Sequence, residues 1–236
     1  MTSARLHFPG WPRSPQTMGL IAVILAAIAL RFYGLDWDEG RGLHPDERYI
    51  IDYVLVGRIE VDWPPNISNL LSPATSGLNP RSADPTTGEY REFPYGALPV
   101  LVTEAAAGIV SWITDDSWNG PDRLHLIGRT LSALFDTLTV VTIYLLGRRV
   151  ASWRVGLWAA AVAATAPMSI QLAHFFTTDS WLTCFVTLSL LAAIRAAESG
   201  AIRWFAWTGA GCGLAMATKG SVFSLAGVIG LSLIHI

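Results

Sequence analysis

The sequence predicts an all-α polytopic membrane protein, and three observations favour this fold class. Hydrophobic residues make up 52% of the 236 residues and charged residues only 14%, well below the share that is usual in soluble domains. The apolar residues gather into long runs, as they do in helices that cross a bilayer. The ten tryptophans fit the same class, because indole rings favour the boundary between lipid and water. No Lys/Arg-rich tract is present, so we expect membrane lipids and no nucleic acid among the partners.

Six apolar runs define the predicted membrane spans. The first is followed by Arg31 rather than by a small-residue cleavage site, so we interpret it as a retained signal anchor. The fifth is short for a crossing, which takes roughly 20 residues. The predicted spans lie at about 18–35, 126–146, 155–172, 179–197, 205–217 and 221–236, the last of them truncated.

The distribution of arginine predicts the orientation. Arginines precede the first span and lie between the second and third and between the fourth and fifth, at Arg5, Arg13, Arg148, Arg149, Arg154, Arg195 and Arg203. The short loop 174–178 contains no Lys or Arg. The positive-inside rule therefore predicts a cytoplasmic N-terminus. Loop 36–123 is then on the outer side, and it holds fifteen of the eighteen acidic residues but six of the sixteen basic ones.

Two segments of this outer loop are predicted to lie in the interface without crossing. Segment 93–113 is apolar and long, but it contains Glu104 and two prolines, and counting it as a span would put the arginines after the second span outside. Segment 43–59 repeats apolar residues at helical spacing and has a polar opposite face. Segment 63–90 between them is rich in Pro, Ser, Thr, Asn and Gly, which predicts an irregular loop.

Three places at the outer surface carry candidate functional side chains. Asp46 and Glu47 follow Pro45, so they are either a helix-start signal, which local physics slightly favours, or a carboxylate pair that serves as a base or cation site. Asp179 opens the fourth span, where an N-terminal cap and a functional role are equally favoured. Lys219 is either a lysine that reaches from a helix end to the interface or a phosphate contact.

Two further features are predicted inside the membrane. Arg129 and Asp136 lie seven residues apart, near one face of the second span. A charged Asp within a span needs a partner, so we expect these two side chains to pair, chiefly in a structural role. The glycine-rich stretch 209–213 in the fifth span is predicted to allow close packing of helices.

The order of these pieces resembles the GT-C-type membrane glycosyltransferases of family 39, which include protein O-mannosyltransferases and lipid A aminoarabinose transferases. The resemblance covers nearly the whole chain. In chain order, the motifs that carry it are Asp46-Glu47, Phe93-Pro94-Tyr95, Gly128-Arg129, Gly147-Arg148-Arg149, Ala166-Pro167, Asp179 and Thr218-Lys219-Gly220. Two positions depart from the pattern: the interfacial segment often carries Lys-Pro or Pro-Pro where Phe93-Pro94-Tyr95 stands here, and Asp136 occupies a usually neutral position.

The resemblance implies a GT-C-like helix bundle that transfers a sugar from a polyprenyl-phosphate-linked donor to an acceptor hydroxyl of a protein, lipid or glycan on the non-cytoplasmic side. It implies Asp46 as the base that takes the acceptor proton, with Glu47 and Asp179 in supporting catalytic roles. Lys219 and Arg129 are the implied contacts of the donor phosphate. No certain cofactor follows from it, and a divalent cation with unknown ligands stays open.

Two other functional classes remain open from the sequence. A transporter would also use intramembrane charges such as Asp136 and Asp179, although a long acidic loop after the first span is rare in transporters and no inverted repeat is visible. A non-catalytic membrane scaffold could present the same loop to a partner.

The sequence also leads to expectations about location and completeness. We expect an integral protein of a bacterial or archaeal plasma membrane. Residues 231–236 match the in-frame translation of a common sequencing adapter and are predicted to be an artefact. The chain is therefore expected to be the N-terminal part of one transmembrane glycosyltransferase domain and to be inactive by itself.

Overall fold

The computed structural model is a bundle of helices, which confirms the predicted all-α membrane class. It describes residues 14–55, 92–224 and 227, and between them positions 68, 72, 74, 76, 79, 81–83 and 87–90. The α-helices of these ranges are α1 (Pro15–Phe32), α2 (Pro45–Arg48), α3 (Leu98–Thr114), α4 (Pro121–Val150), α5 (Trp153–Ala164), α6 (Pro167–Ala173), α7 (Thr178–Ser199) and α8 (Ile202–Thr218). By length and composition, α1, α4 and α7 can cross a bilayer, and α5 with α6 makes a fourth span if the bent pair counts as one.

Local sequence signals set where these helices begin and end. Four of them start at a proline, whose missing N–H costs nothing in the first turn and whose φ is already helical: Pro15, Pro45, Pro121 and Pro167. The hydroxyl of Ser14 caps α1 by accepting a hydrogen bond from the backbone N–H of Thr17. Helix α7 ends at Gly200, which adopts the left-handed conformation with a φ of 62°.

The predicted third span is a broken helix. Helix α5 ends at Ala164, α6 starts at Pro167, and the two axes differ by 59°. A proline interrupts the helical hydrogen-bond pattern and disfavours the helical conformation of the residue before it. The carbonyl oxygens of Ala163 and Ala164 accept hydrogen bonds from the Arg31 guanidinium, at 3.1 Å and 2.8 Å. Arg31 is fully buried, so the end of α1 stabilises the break.

Arg31 is also the partner of Asp136, and the predicted pairing of Arg129 with Asp136 is therefore wrong. The Nε of Arg31 lies 2.5 Å from Oδ2 of Asp136, and both side chains are buried. Seven residues of helix rise about 10.5 Å, so two positions on one face lie two turns apart. Arg129 lies nearer the outer loop, where it finds other carboxylates.

Glycines let the helices approach closely at two crossings. A Cβ on Gly147 of α4 would lie 2.7 Å from the Cα of Gly156 in α5, so the two backbones touch there. A Cβ on Gly211 of α8 would lie 2.3 Å from the hydroxyl of Ser189 in α7. The predicted packing role of the 209–213 stretch thus falls on Gly211.

The apolar segment of the outer loop forms helix α3, as predicted. Its 17 residues rise about 25 Å, less than the roughly 30 Å of a bilayer core. Three large apolar side chains near its end are exposed: Ile109, Trp112 and Ile113. Length and exposure both suit a helix that lies in the interface.

The other predicted interfacial segment, 43–59, is helical over a shorter stretch. Helix α2 continues into a π-helical segment, Tyr49–Leu55. Ile50 and Ile51 are buried in the core beside Phe176 of the bundle. The described part of this segment therefore packs on protein, and residues 56–59 lie outside the described residues.

The last two predicted spans are not described equally well. The fifth corresponds to α8, whose 17 residues are fewer than the roughly 20 of a full crossing, so α8 is not among the helices that can span by length and composition. The sixth begins after Lys219 with a 3₁₀ turn, Gly220–Val222. Most of 221–236, including 231–236, lies outside the described residues.

We predict that α3 does not cross the membrane, and that both of its flanks face the non-cytoplasmic side. Two exposed residues serve as labelling positions, Glu89 before α3 and Ser117 after it. In a variant with Cys184 and Cys212 replaced by Ala, single cysteines at 89 and 117 should both react with an impermeant maleimide added from outside.

A cysteine at the exposed Ala151, in the loop between α4 and α5, is the control and should react only after the membrane is opened. If only one of positions 89 and 117 reacts from outside, α3 crosses and the interfacial interpretation is wrong.

Candidate functional site

A fully buried ion cluster joins the segment after α1 and helix α2 to helix α4. The Arg129 guanidinium donates to both carboxylate oxygens of Glu47, at 2.7 Å each. It also donates to both carboxylate oxygens of Asp38, at 2.7 Å and 3.0 Å, and to the carbonyl of Leu35 at 2.7 Å. A guanidinium has five N–H groups, and this set of partners uses all three of its nitrogens. Arg129 is therefore satisfied within the protein.

Glu47 links the same cluster to the segment before α7. Its Oε1 accepts a hydrogen bond from the backbone N–H of Phe176 at 3.0 Å. The Phe176 ring packs on Gly128, where any Cβ would lie 2.3 Å from the ring. The glycine beside Arg129 thus lets this segment approach α4 closely enough to reach Glu47. The side chain of Glu47 is held from two elements, which fixes the position of α2.

Asp38 is the cluster member that lies outside the helices. The hydrogen bond from Arg129 holds the pKa of Asp38 below its usual value of 3.8. A carboxyl whose pKa is lower in the folded than in the unfolded state stabilises the fold. This stabilisation is fully present at a pH above the unfolded-state pKa and is lost as the pH falls through the folded-state pKa. Asp38 is thus charged at neutral pH.

Asp46, next to Glu47, lines an open cleft instead of joining the buried cluster. It is half-buried, in the first turn of α2, and its backbone N–H donates to Nδ1 of His44 at 3.2 Å. The cleft has a volume of about 710 Å³ and is lined by Pro45, Asp46, Tyr49, Arg81, Glu92, Phe93, Pro94 and Tyr95. The two adjacent carboxylates therefore have different environments, one in the cleft and one in the buried cluster.

One wall of the cleft is the segment 92–96, called the strap below. The Tyr49 hydroxyl donates to the carbonyl of Glu92 at 2.9 Å, and Nε of Arg81 donates to the carbonyl of Phe93 at 2.9 Å. At its other end, the backbone N–H of Gly96 donates to the carbonyl of Thr218 at 2.8 Å. The strap thus connects the start of the π-helical segment after α2 to the end of α8.

A second charged pair lies beside the strap. The Nζ of Lys219 is 3.0 Å from Oδ1 of Asp179, and both side chains are about one-third exposed. The same Nζ lies 5.9 Å from the centre of the Tyr95 ring. Burial raises the pKa of Tyr95, and a hydrogen bond to Asp46 and the charges of Asp46 and Asp179 raise this pKa further. Tyr95 therefore neighbours both charged groups: it lines the cleft with Asp46, and its ring lies beside the Lys219 ammonium.

The structure divides the sequence-predicted site residues into two neighbouring groups. Asp46 lines the cleft together with Tyr95, and Lys219, paired with Asp179, lies beside the Tyr95 ring, whereas Glu47 and Arg129 belong to the buried cluster. Within the described part of the chain, no group of three His, Cys, Asp or Glu side chains is arranged to hold a metal ion.

Sequence reasoning missed three residues of this arrangement. Asp38 was one acid among many in the outer loop, Arg31 was only the end of an apolar run, and Tyr95 was part of a motif without a role. A buried arginine in a span requires a carboxylate partner, and that requirement could have drawn attention to Arg31. No local signal selects Asp38 or Tyr95, because their partners are distant in sequence.

Comparison with known protein families gives a match to part of the chain. Residues 124–234 match the model of a family described as dolichyl-phosphate-mannose-protein mannosyltransferase. The matched stretch contains Arg129, Asp179 and Lys219, and it begins after Asp46 and Glu47. Comparison with curated proteins found no match. The predicted resemblance to membrane glycosyltransferases is therefore confirmed over the stretch from α4 onward.

Proposed function

We propose, from the match to a mannosyltransferase family of the GT-C type, that this cleft transfers a sugar from a polyprenyl-phosphate-linked donor to an acceptor hydroxyl on the non-cytoplasmic side. The observation that supports this most is the meeting of Asp46, Asp179 and Lys219 around Tyr95. These residues come from three separate parts of the chain. A carboxylate and an ammonium group on either side of one tyrosine are the two charges that such a transfer needs.

The carboxylate of Asp46 acts as the general base. The acceptor hydroxyl gives its proton to Asp46 while its oxygen forms a bond to the anomeric carbon of the sugar. The bond between that carbon and the phosphate oxygen breaks, and the lipid phosphate leaves with the electron pair. Asp46 is half-buried and lines the open cleft, so its carboxylate is accessible to an acceptor.

The ammonium group of Lys219 offsets the charge that develops on the leaving phosphate. An ammonium has three N–H donors, and the bond to Asp179 uses one of them. The other donors remain for phosphate oxygens. Asp179 thereby orients the lysine, which gives its supporting role a definite form.

Glu47 and Arg129 support the site from behind. All three guanidinium nitrogens of Arg129 are engaged inside the protein, so we propose that Arg129 positions α2 and that donor-phosphate contact falls to Lys219. Glu47 positions Asp46 through the same cluster. The supporting role of Glu47 is therefore to hold α2 in place through its hydrogen bonds within the cluster.

The transporter alternative is less well supported than the transferase. It relied on intramembrane carboxylates such as Asp136, which here is bonded to Arg31 in a buried ion pair. Radiolabelled polyprenyl-phosphate sugar offered to the purified full-length protein in liposomes separates the classes. Label in an acceptor supports a transferase, and label moved intact across the bilayer supports a transporter. If the label is neither transferred nor moved, the result supports a scaffold.

We predict that Lys219→Ala weakens the use of the donor. Loss of a charge-assisted hydrogen bond should raise the donor KM or lower kcat by about tenfold to a hundredfold. The protein should remain folded, because the side chain is partly exposed and the lost ion pair is worth little. Steady-state kinetics of the full-length protein measure this.

The control for this prediction is Arg203→Ala, which removes an exposed cation from the opposite end of α8. It should leave both constants at the wild-type values. Unchanged kinetics in Lys219→Ala would reduce Lys219 to an interfacial anchor.

A further inference from the structure

The joint between the strap and the end of α8 requires a glycine. The N–H of Gly96 bonds to the carbonyl of Thr218 at 2.8 Å. A Cβ at Gly96 would lie 1.8 Å from the carbonyl oxygen of Ala217 and 2.2 Å from its carbon. These are backbone atoms at a helix end, so no side-chain movement relieves the overlap. Only glycine allows the strap to sit against the residues that immediately precede Lys219.

The Tyr95 ring, one residue earlier, is fixed by aromatic neighbours. The ring of Phe93 meets it edge to face, with 5.7 Å between centres, and the other partner of Phe93 is Tyr49, stacked at 6.3 Å. Phe93 is buried, so this row of rings is anchored in the protein core. The Lys219 ammonium lies 5.9 Å from the Tyr95 ring centre, a distance at which the ring attracts a cation.

The hydroxyl of Tyr95 serves a different partner from its ring. Tyr95 and Asp46 line the same cleft. A phenol is protonated at neutral pH, and burial and the nearby Asp46 charge raise the pKa of Tyr95 further, so across the cleft that both residues line its O–H is available to donate to the Asp46 carboxylate. A carboxylate that accepts such a bond on one oxygen is restrained in rotation.

We propose that Tyr95 and Gly96 form a clamp that positions both charged groups of the site: the Tyr95 hydroxyl orients Asp46, and the Tyr95 ring with the Gly96 joint holds Lys219. This rests on the proposed function. Tyr95 and Gly96 are positioning residues, because each acts through another side chain. Their loss therefore affects two different kinetic constants.

The kinetic test separates the two halves of the clamp. Tyr95→Phe keeps the ring and removes the hydroxyl, so it should lower kcat about tenfold to a hundredfold and leave the donor KM unchanged. Gly96→Ala displaces the end of α8 and should raise the donor KM. Tyr90→Phe, at an exposed tyrosine, and Gly108→Ala, where a Cβ meets open space, are the matched controls and should behave as the wild type.

A chemical test decides the clamp independently of turnover. Lys219 is the only lysine of the sequence, so an amine-reactive ester followed by peptide mass spectrometry reports on its environment. Lys219 should react several-fold faster in Gly96→Ala and Tyr95→Leu than in the wild type, and at the wild-type rate in Tyr95→Phe and Gly108→Ala. Thermal unfolding of each variant shows whether a faster rate reflects the joint or general unfolding.

Two results would overturn the clamp. One is a wild-type rate of Lys219 modification in folded Gly96→Ala; the other is a wild-type kcat in Tyr95→Phe. If the wild-type protein transfers no sugar at all, the proposed function fails, while the modification rates still decide whether the clamp exists.

Discussion

Asp46→Asn should lower turnover by roughly 10²- to 10⁴-fold, the contribution that a general base typically makes. Asparagine keeps the size of the side chain and can still accept a hydrogen bond from Tyr95, but it cannot take a proton from the acceptor. Donor binding should be largely retained, because Lys219 and Asp179 are untouched. Single-turnover kinetics of the full-length protein, together with donor binding by equilibrium dialysis, measure the two effects separately.

Two variants frame this result. Asp52→Asn removes an exposed carboxylate from the same segment and should leave turnover unchanged. Glu47→Gln should cost less turnover per folded molecule than Asp46→Asn, because Glu47 faces the buried cluster and only positions its neighbour. If Asp46→Asn retains near-normal turnover, Asp46 is a helix-start residue and the mechanism must be abandoned.

Arg129→Met should be the most destabilising of the substitutions considered. It leaves the carboxylates of Asp38 and Glu47 buried without a counter-charge, and removal of one partner from a buried ion pair typically costs about 3–5 kcal/mol. Two carboxylates lose their partner here, so we expect a large fall in the unfolding temperature or failure to recover folded protein. Thermal unfolding in detergent, followed by size-exclusion chromatography, measures this.

Companion variants separate charge from hydrogen-bond geometry. Arg148→Met removes an exposed arginine from the same helix and should change stability by less than about 0.5 kcal/mol. Arg129→Lys keeps the charge but lacks the planar fork that serves two carboxylates, so it should be intermediate. The triple change Asp38→Asn, Glu47→Gln, Arg129→Met should recover part of the loss, because no unpaired charge remains.

The same variants test the two roles open to Arg129. A folded Arg129→Lys protein with a wild-type donor KM fits a positioning role. A raised donor KM in a protein of normal stability would instead support the phosphate contact that the resemblance implied.

The sequence by itself determined the helices and most of their ends. Apolar runs of 17 to 30 residues, some of them opened by proline, form helices in a bilayer because every backbone polar group needs an internal partner there. The sequence also contained the signal for the break of the third span, because Pro167 lies within that span. Interpretation of 155–172 as one continuous span overlooked that signal.

Only the tertiary structure decided which charges meet. Asp46 and Glu47 are neighbours in the chain, but consecutive helical residues point about 100° apart, so one reaches the cleft and the other the core. Arg129 had Asp136 as its obvious partner in sequence, yet in the fold Arg129 pairs with Asp38 and Glu47, and Asp136 pairs with Arg31. Two charged side chains pair only when their nitrogen and oxygen atoms come within about 3 Å, and the amino-acid sequence alone does not give distances between atoms of different segments. The joint of Gly96 with Thr218, across more than a hundred residues, depends on the fold for the same reason.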